Sequence, residues 1–264
     1  FPEWYASLFS GFYLALLLML AALILRGVAF EYRGKGDTQK WKSTFDWMIF
    51  IGSAVPALLW GTAFSNIVQG VPLNEDHIFT GNLLTLLNPY GLLGGLVTLT
   101  LFFTYGLVFI TLKTSGEVKD RARALATKIG VVATLLAAGF LLWTLLAHFT
   151  WLGLALSGLA AVALIGALLL NHLGRDGWSF VLLVVTVMSA VGSLFAALYP
   201  NVLPSTTNPD YSLTIQNASS SEYTLTVMSW VAVFALPLVL AYQAWTYWVF
   251  SKRVSRKNIP AGSH

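Results

Sequence analysis

Long apolar runs separated by short polar stretches make up most of the 264-residue chain. A transmembrane helix needs roughly 20 mostly apolar residues to cross a hydrocarbon core, and seven windows of that kind lie between clusters of charge. The pattern predicts spans near Tyr5–Phe30, Phe45–Val68, Pro89–Leu112, Ile129–His148, Trp151–Leu170, Phe180–Leu198 and Leu225–Phe250. Backbone polar groups in lipid must be satisfied within the protein, and these runs are too long for barrel strands. We therefore predict an all-α polytopic transmembrane helix bundle that forms a single domain over residues 1–264.

The basic residues alternate between connections, as the positive-inside rule requires for seven spans. All 15 Lys and Arg residues flank the first, third and fifth connections or the C-terminal tail. The N-terminal end and the second, fourth and sixth connections hold none. We therefore expect the N-terminus to face outward and residues 251–264 to form a cytoplasmic tail. The pI of 9.3 reflects this topology and does not indicate nucleic-acid binding.

Two outward-facing connections carry information beyond topology. Residues 199–224 exceed the usual loop length and are rich in Pro, Ser, Thr and Asn, which is typical of a binding segment, a lid or a partner contact, or alternatively of a disordered connector. In the second connection, Asn88-Pro89 predicts a corner, because the residue before Pro avoids helical backbone angles. The apolar residues just before it favour a short interfacial helix. Gly91 and Gly95 stand four apart and mark a helix face that another backbone can approach closely.

The inventory of ligating and nucleophilic residues is poor. The chain has no cysteine, which excludes disulfides and thiolate metal sites. Its 4 histidines, His77, His148, His172 and His264, lie in loops, at span ends or in the tail, and no pair has the i, i+4 spacing of helical ligands. We predict no catalytic residue and no metal site in this chain. Among the histidines, His148 is the only moderate candidate for a haem ligand. No phosphate-binding, dinucleotide-binding, nucleophile-elbow or zinc-protease motif is present.

Ionisable groups near the membrane are the first functional candidates, because burying them in lipid is costly. Arg26 and Glu31 lie at the inner end of the first span, close in sequence to Arg33. Asp46 lies at the inner mouth of the second span, beside Trp47. These groups either form a salt bridge that locks two helix ends or hold part of a water-filled proton entry from the cytoplasm.

A second group of polar candidates lies at the opposite, outer end. Asn66 and Gln69 end the second span, and Asn88 stands at the outer corner. Buried amides of this kind either satisfy broken backbone or contact a quinone or lipid, for which Trp47 is a further candidate.

Six blocks that run in order along nearly the whole chain resemble subunit II of the cytochrome bd-type quinol oxidases, the terminal respiratory oxidases of prokaryotes. The blocks are Phe9–Leu16, Leu25–Arg33, Phe45–Pro72, Thr80–Leu96, Leu198–Thr206 and Ser212–Val233. Six ordered blocks are far more specific than one. By position, Arg26 matches the Arg of the family's first basic block and Asp46 the Asp of its Trp-Asp-Trp-like block, which reads Phe-Asp-Trp here.

The resemblance implies a nine-helix subunit of a quinol:oxygen oxidoreductase, so we expect two N-terminal helices to be missing from this chain. In the family, subunit I carries haems b and d. Subunit II stabilises subunit I, helps to line a proton path and an oxygen path, and in some members holds a structural quinone. The implied location is the prokaryotic cytoplasmic membrane, with membrane lipids, quinone and a small accessory subunit as further partners. Two alternatives remain open: a pure scaffold without a conduit role, and a secondary transporter.

Overall fold

The computed structural model describes residues 1–250 as a bundle of membrane-length helices. The helices are α1 (Pro2–Gly11), α2 (Tyr13–Tyr32), α3 (Gln39–Gln69), α4 (Leu83–Leu86), α5 (Pro89–Lys113), α6 (Glu117–Ala147), α7 (Trp151–His172), α8 (Asp176–Leu198) and α9 (Glu222–Val249), and the strands are β1 (Asn201–Leu203) and β2 (Leu213–Thr214). Seven helices, α2, α3 and α5 to α9, are long and apolar enough to span a membrane, which confirms the predicted fold class and span number. The predicted cytoplasmic tail, residues 251–264, lies outside the described residues.

The connections fall at two ends of the bundle. We call the end that holds residues 33–38, 114–116 and 173–175 the basic end, because Lys and Arg gather there. The opposite end, with residues 70–88, 148–150 and 199–221, is called the loop end.

The first span begins later than its hydropathy predicts. The prediction placed its start at Tyr5, whereas the membrane-length helix α2 starts at Tyr13. Phe12 leaves helical geometry at φ −96° and ψ 10°, and its side chain is buried in a loop-end cluster with Leu73. The indole Nε1 of Trp4 donates to the Val202 carbonyl at 2.9 Å. Tertiary contacts therefore turn the first ten residues into a separate helix that belongs to the loop end.

At the basic end, α6 begins at Glu117, well before the predicted start at Ile129. The added turns are charged, yet Ala122 and Ala126 in them are buried in a core cluster with Leu183 of α8. A search for apolar windows does not detect helical turns that are charged, and the predicted start of α6 was therefore too late.

The loop end is covered by a small folded cap. In the cap, β1 pairs antiparallel with β2, and Val71 forms a parallel bridge with Ser205. Leu73, Leu203 and Leu213 are fully buried within it. The connection 199–224 predicted from composition is thus a packed element through residue 221, followed by α9.

Helix α9 stands apart from the other helices. None of its residues is buried, although the helix is as apolar as the rest. Lys113 Nζ donates to the Phe250 carbonyl at 2.7 Å, which joins the end of α9 to the end of α5.

Candidate functional site

An ion pair joins α2 and α3 at the basic end. Arg33 Nε lies 2.5 Å from Asp46 Oδ1, and Arg33 Nη2 donates to Asp46 Oδ2 at 3.2 Å. The two side chains are 47% and 51% exposed, so water reaches both. The sequence suggested Arg26 and Asp46 together, but the structure pairs Asp46 with Arg33.

The other candidates at the basic end surround this pair without joining it. The Arg26 guanidinium carbon lies 5.6 Å from the centre of the Phe30 ring, and the Arg26 side chain packs against α3 where Gly52 leaves room for it. Glu31 accepts from Lys35 Nζ at 3.1 Å in an exposed pair. Trp47 is 62% exposed and contacts Phe50 edge to face. The geometry is compatible with both hypotheses made from the sequence: a salt bridge that joins two helix ends, and part of a water-filled entry for protons.

At the loop end, Asn66 is the hub of an amide network. Its Nδ2 donates to the Thr62 carbonyl at 2.7 Å and to the Leu86 carbonyl at 2.8 Å, and its Oδ1 accepts from Asn88 Nδ2 at 2.8 Å. Asn88 in turn caps α5 by accepting from the Gly91 amide at 2.8 Å. Each described polar atom of Asn66 is therefore used within the fold, as expected for an amide that satisfies broken backbone. Gln69, by contrast, is exposed.

The corner and the packing face predicted around Asn88-Pro89 are confirmed. The four-residue helix α4 ends at Leu86, and Pro89 begins α5. A Cβ on Gly91 would lie 2.7 Å from Asn66 Nδ2, and one on Gly95 would lie 2.6 Å from the Thr62 hydroxyl. Glycine is required at these two positions because α3 and α5 approach more closely than a side chain allows.

An apolar cavity of about 520 Å³ lies among α3, α5, α6, α7 and α8. Aromatic and aliphatic side chains form most of its wall, among them Trp60, Leu101 and Phe140. The hydroxyls of Ser65 and Thr186 also line it, but each donates to a carbonyl of its own helix, at 2.7 and 2.8 Å. A cavity of this size with its polar groups already satisfied suits an apolar molecule and not a charged one.

A buried charge cluster at the basic end was missed by sequence reasoning. Asp176, at the first position of α8, has a side chain that is only 3% exposed. Lys119 Nζ lies 2.6 Å from its Oδ2, and Arg123 Nη2 lies 2.9 Å from its Oδ1. We call these three residues the Asp176 cluster. It joins α6 to α8, because both basic residues lie on α6.

Local sequence explains how Asp176 returns to α6. Gly174 has φ +77°, a conformation that ends α7 with little strain because glycine lacks a Cβ. The amide of Arg175 then bonds back to the Leu170 carbonyl at 2.9 Å. Sequence analysis counted Lys119 and Arg123 only as topological charge. The available signal was a carboxylate at the very start of a span, which is costly unless paired.

The three histidines within residues 1–250 lie in separate places, and His264 is outside the described residues. His77, in the cap at φ 56°, has Nδ1 2.9 Å from the Tyr211 carbonyl. His148 ends α6, and His172 is exposed at the end of α7. Within residues 1–250, no three His, Cys, Asp or Glu side chains are grouped so that they could hold a metal ion.

Comparison with known proteins decides the family. The profile for cytochrome bd terminal oxidase subunit II matches residues 1–250. This chain belongs to that family. The cytochrome bd ubiquinol oxidase subunit 2 of Bacillus subtilis (strain 168) is 40% identical over 263 residues, which cover 98% of this chain and 78% of the relative.

Two further relatives agree with the assignment. The cytochrome bd-I ubiquinol oxidase subunit 2 of Escherichia coli (strain K12) is 35% identical over 301 aligned positions, covering all of this chain and 79% of the relative. The probable cytochrome oxidase subunit 2 of Haemophilus influenzae is 33% identical, with 100% and 79% covered.

As a cytochrome bd subunit II, the chain is one subunit of a terminal oxidase complex and has a subunit I as its partner. The resemblance read from the six blocks is thereby confirmed. Together with the family, the seven apolar helices within residues 1–250 indicate a multi-pass membrane protein.

Proposed function

We propose that this chain is the haem-free subunit of a quinol:oxygen oxidoreductase, in which it stabilises the haem-bearing subunit I and provides access for small reactants. Haems b and d belong to the partner in this proposal. Two observations support the stabilising role. The relatives from Bacillus subtilis and Escherichia coli are subunits of ubiquinol oxidases, and α9 leaves a membrane-length apolar surface that the rest of residues 1–250 does not cover.

The apolar cavity carries the proposal of access. Oxygen partitions into apolar space, and a quinone tail is a hydrocarbon, so both fit a cavity of about 520 Å³ whose hydroxyls are already satisfied. The cavity lies between five helices that must stay packed to keep it open. We assign it to oxygen passage or to a structural quinone rather than to a polar substrate.

The basic end supplies the proposed entry for protons. Asp46 and Arg33 are half-exposed, and Arg26 and Glu31 both lie on α2, which ends just before Arg33. A solvated carboxylate beside a guanidinium at the mouth of two helices can exchange protons with bulk water. We place this end on the cytoplasmic side of a prokaryotic membrane, because Lys and Arg gather there.

The identity of the complex is tested first. The complex is purified in mild detergent through a tag on this chain, and its reduced-minus-oxidised visible spectrum is compared with that of the chain expressed alone. We expect haem b and d bands only in the complex. Bands in the isolated chain, or a complex without haem, would contradict the proposal.

The role in proton entry is separated from a purely structural role by measuring haem content beside turnover. Asp46→Asn keeps the size of the side chain but removes its charge, and Arg26→Gln removes the charge of the second candidate with a shorter polar side chain. A proton-entry role predicts full haem with low quinol oxidation. A scaffold role predicts that haem and turnover fall together. Glu117→Gln, in another exposed pair at the basic end, is the matched control.

The cavity is tested by filling it. Ala160, on α7, lines the cavity, so Ala160→Phe places a ring in the space. For an oxygen path we expect a raised KM for oxygen at unchanged haem content. For a quinone site we expect loss of co-purified quinone. Ala155→Phe, at an exposed position of the same helix that is not among the residues lining the cavity, serves as the control.

A further inference from the structure

A second, polar pocket opens at the basic end, away from the groups considered above. It measures about 430 Å³ and is lined by Asp120, Arg123, Ala124, Thr127, Lys128 and His172. We call it the basic pocket. It lies between the first turns of α6 and the last turn of α7, where the helices reach the edge of the membrane-length region.

One wall of the basic pocket is rigid. Arg123 Nη2 donates to Asp176, and a Cβ on Gly174 would lie 3.8 Å from the same nitrogen, so Gly174 packs close to the guanidinium. Asn171 is fully buried behind it and donates to the Arg123 carbonyl at 3.2 Å. The guanidinium therefore stands in one orientation before any ligand arrives, which lowers the entropic cost of binding.

Two buried polar atoms beside the basic pocket have no hydrogen-bond partner among the described residues. They are Arg123 Nε, a donor, and Asn171 Oδ1, an acceptor. Buried polar groups are nearly always satisfied in folded proteins, by protein or by ordered water. Their position marks this region as one that is completed by a group outside the described residues, such as ordered water or a ligand.

The charge of the basic pocket favours an anion. Arg123 and Lys128 contribute positive charge, His172 adds a further donor, and Thr127 adds a hydroxyl. Asp120 opposes them, and Asp176 is already shared between two cations. Lys128 and His172 are exposed, so both can turn toward a ligand without leaving a partner.

The surface next to the basic pocket is apolar. Leu169 and Leu173, on either side of His172, are 60% and 70% exposed. A phosphate bound by Lys128 and His172 would therefore have hydrocarbon-compatible surface beside it. Basic pockets between transmembrane helices at this depth bind the head groups of anionic lipids.

We propose that the basic pocket binds a phosphate group, supplied by the head group of an anionic phospholipid or by free phosphate. Lys128 and His172 contact the phosphate oxygens, and the fixed Arg123 supplies the field that favours the anion. This site differs from the amide and tryptophan candidates for lipid contact, since none of those lies at it. Occupancy would bridge α6 and α7 at the end where the Asp176 cluster bridges α6 and α8.

The test uses the purified complex with its subunit I and compares Lys128→Glu with Lys40→Glu. Both lysines are exposed at the basic end, and both variants change the net charge equally. The complexes are equilibrated with mixed vesicles of dioleoylphosphatidylglycerol and dioleoylphosphatidylcholine, and retained lipid is counted by native mass spectrometry. We expect Lys128→Glu to lower retention of phosphatidylglycerol about tenfold, since reversing one charge removes an attraction and adds a repulsion. Lys40→Glu should retain it like the wild type.

Equal retention by Lys128→Glu and Lys40→Glu excludes the lipid source, and the proposal is overturned if inorganic phosphate also fails to distinguish Lys128→Glu from the wild type. If Lys128→Glu does not assemble, as judged by haem content, Lys128→Gln replaces it with the same expected direction. A second arm adds inorganic phosphate to lipid-stripped complex and measures its melting temperature. A rise in the wild type that Lys128→Glu lacks, without lipid retention in either, assigns the site to free phosphate. The haem spectrum is read separately, so failure of the proposed oxidase role is distinguishable from failure here.

Discussion

Replacing Asp176 with asparagine tests whether the Asp176 cluster holds α6 and α8 together. The substitution keeps the shape of the side chain and removes the charge that Lys119 and Arg123 share. The carboxylate is 3% exposed, and the two cations are 18% and 26% exposed. After the change, two partly buried cations face a neutral amide and repel each other.

The expected size of the effect follows from burial. Removing one partner of a buried ion pair typically costs about 3–5 kcal/mol, because the other charge stays buried and unpaired. Lys119 and Arg123 keep some access to water, so we expect about 2–3 kcal/mol for Asp176→Asn. For a chain of this size such a loss lowers the melting temperature by about 5–10 °C.

The assay is thermal unfolding of the purified complex in one detergent, followed by size-exclusion recovery of the intact species. The control is Glu117→Gln, which breaks an exposed pair with Arg121 on the same helix. Exposed pairs contribute about 0–1 kcal/mol, so the control should melt close to the wild type. If Asp176→Asn also melts within about 2 °C of the wild type, the cluster does not stabilise the fold as argued.

Two further predictions concern the contact between α3 and α5. Gly61→Ala should destabilise the complex by about 1–3 kcal/mol, because its Cβ would overlap the α5 backbone; Gly139→Ala, with open space around it, should be neutral in the same melting assay. Asn66→Leu should cost about 1–3 kcal/mol by leaving a buried carbonyl without its donor. Gln69→Leu, at an exposed position of the same helix, should not, and equal melting of these last two variants would refute the structural role of the amide.

Sequence reasoning succeeded where one physical requirement dominated. Length and hydropathy fixed the number of spans, because lipid leaves the backbone no alternative to closed hydrogen bonding. Asn88-Pro89 located a corner for a stereochemical reason that needs no tertiary information. Gly91 and Gly95 marked a close contact, although the pattern did not say that α3 would be the partner.

Sequence reasoning failed where contacts between separate segments determine the local structure. The break at Phe12 depends on a cap assembled from residues far along the chain, and hydropathy alone runs straight through it. Asp46 follows two arginines in the chain, Arg26 and Arg33, and the fold pairs it with Arg33, which begins the turn at residues 33–35. The Asp176 cluster joins positions more than fifty residues apart, so neither partner looks unusual in its own segment.

The isolation of α9 has a consequence for how this subunit changes over evolutionary time. A helix with no buried residue in its own chain is constrained to stay apolar but not to keep a particular shape. Apart from the contact of Lys113 at its end, any demand on its shape comes from outside the described residues: from lipid, from subunit I or from the N-terminal helices that the family resemblance implies. Substitutions in α9 should therefore be compensated outside residues 1–250 more often than within them, and the sequence drift of this helix would be linked to that of whichever segment covers it.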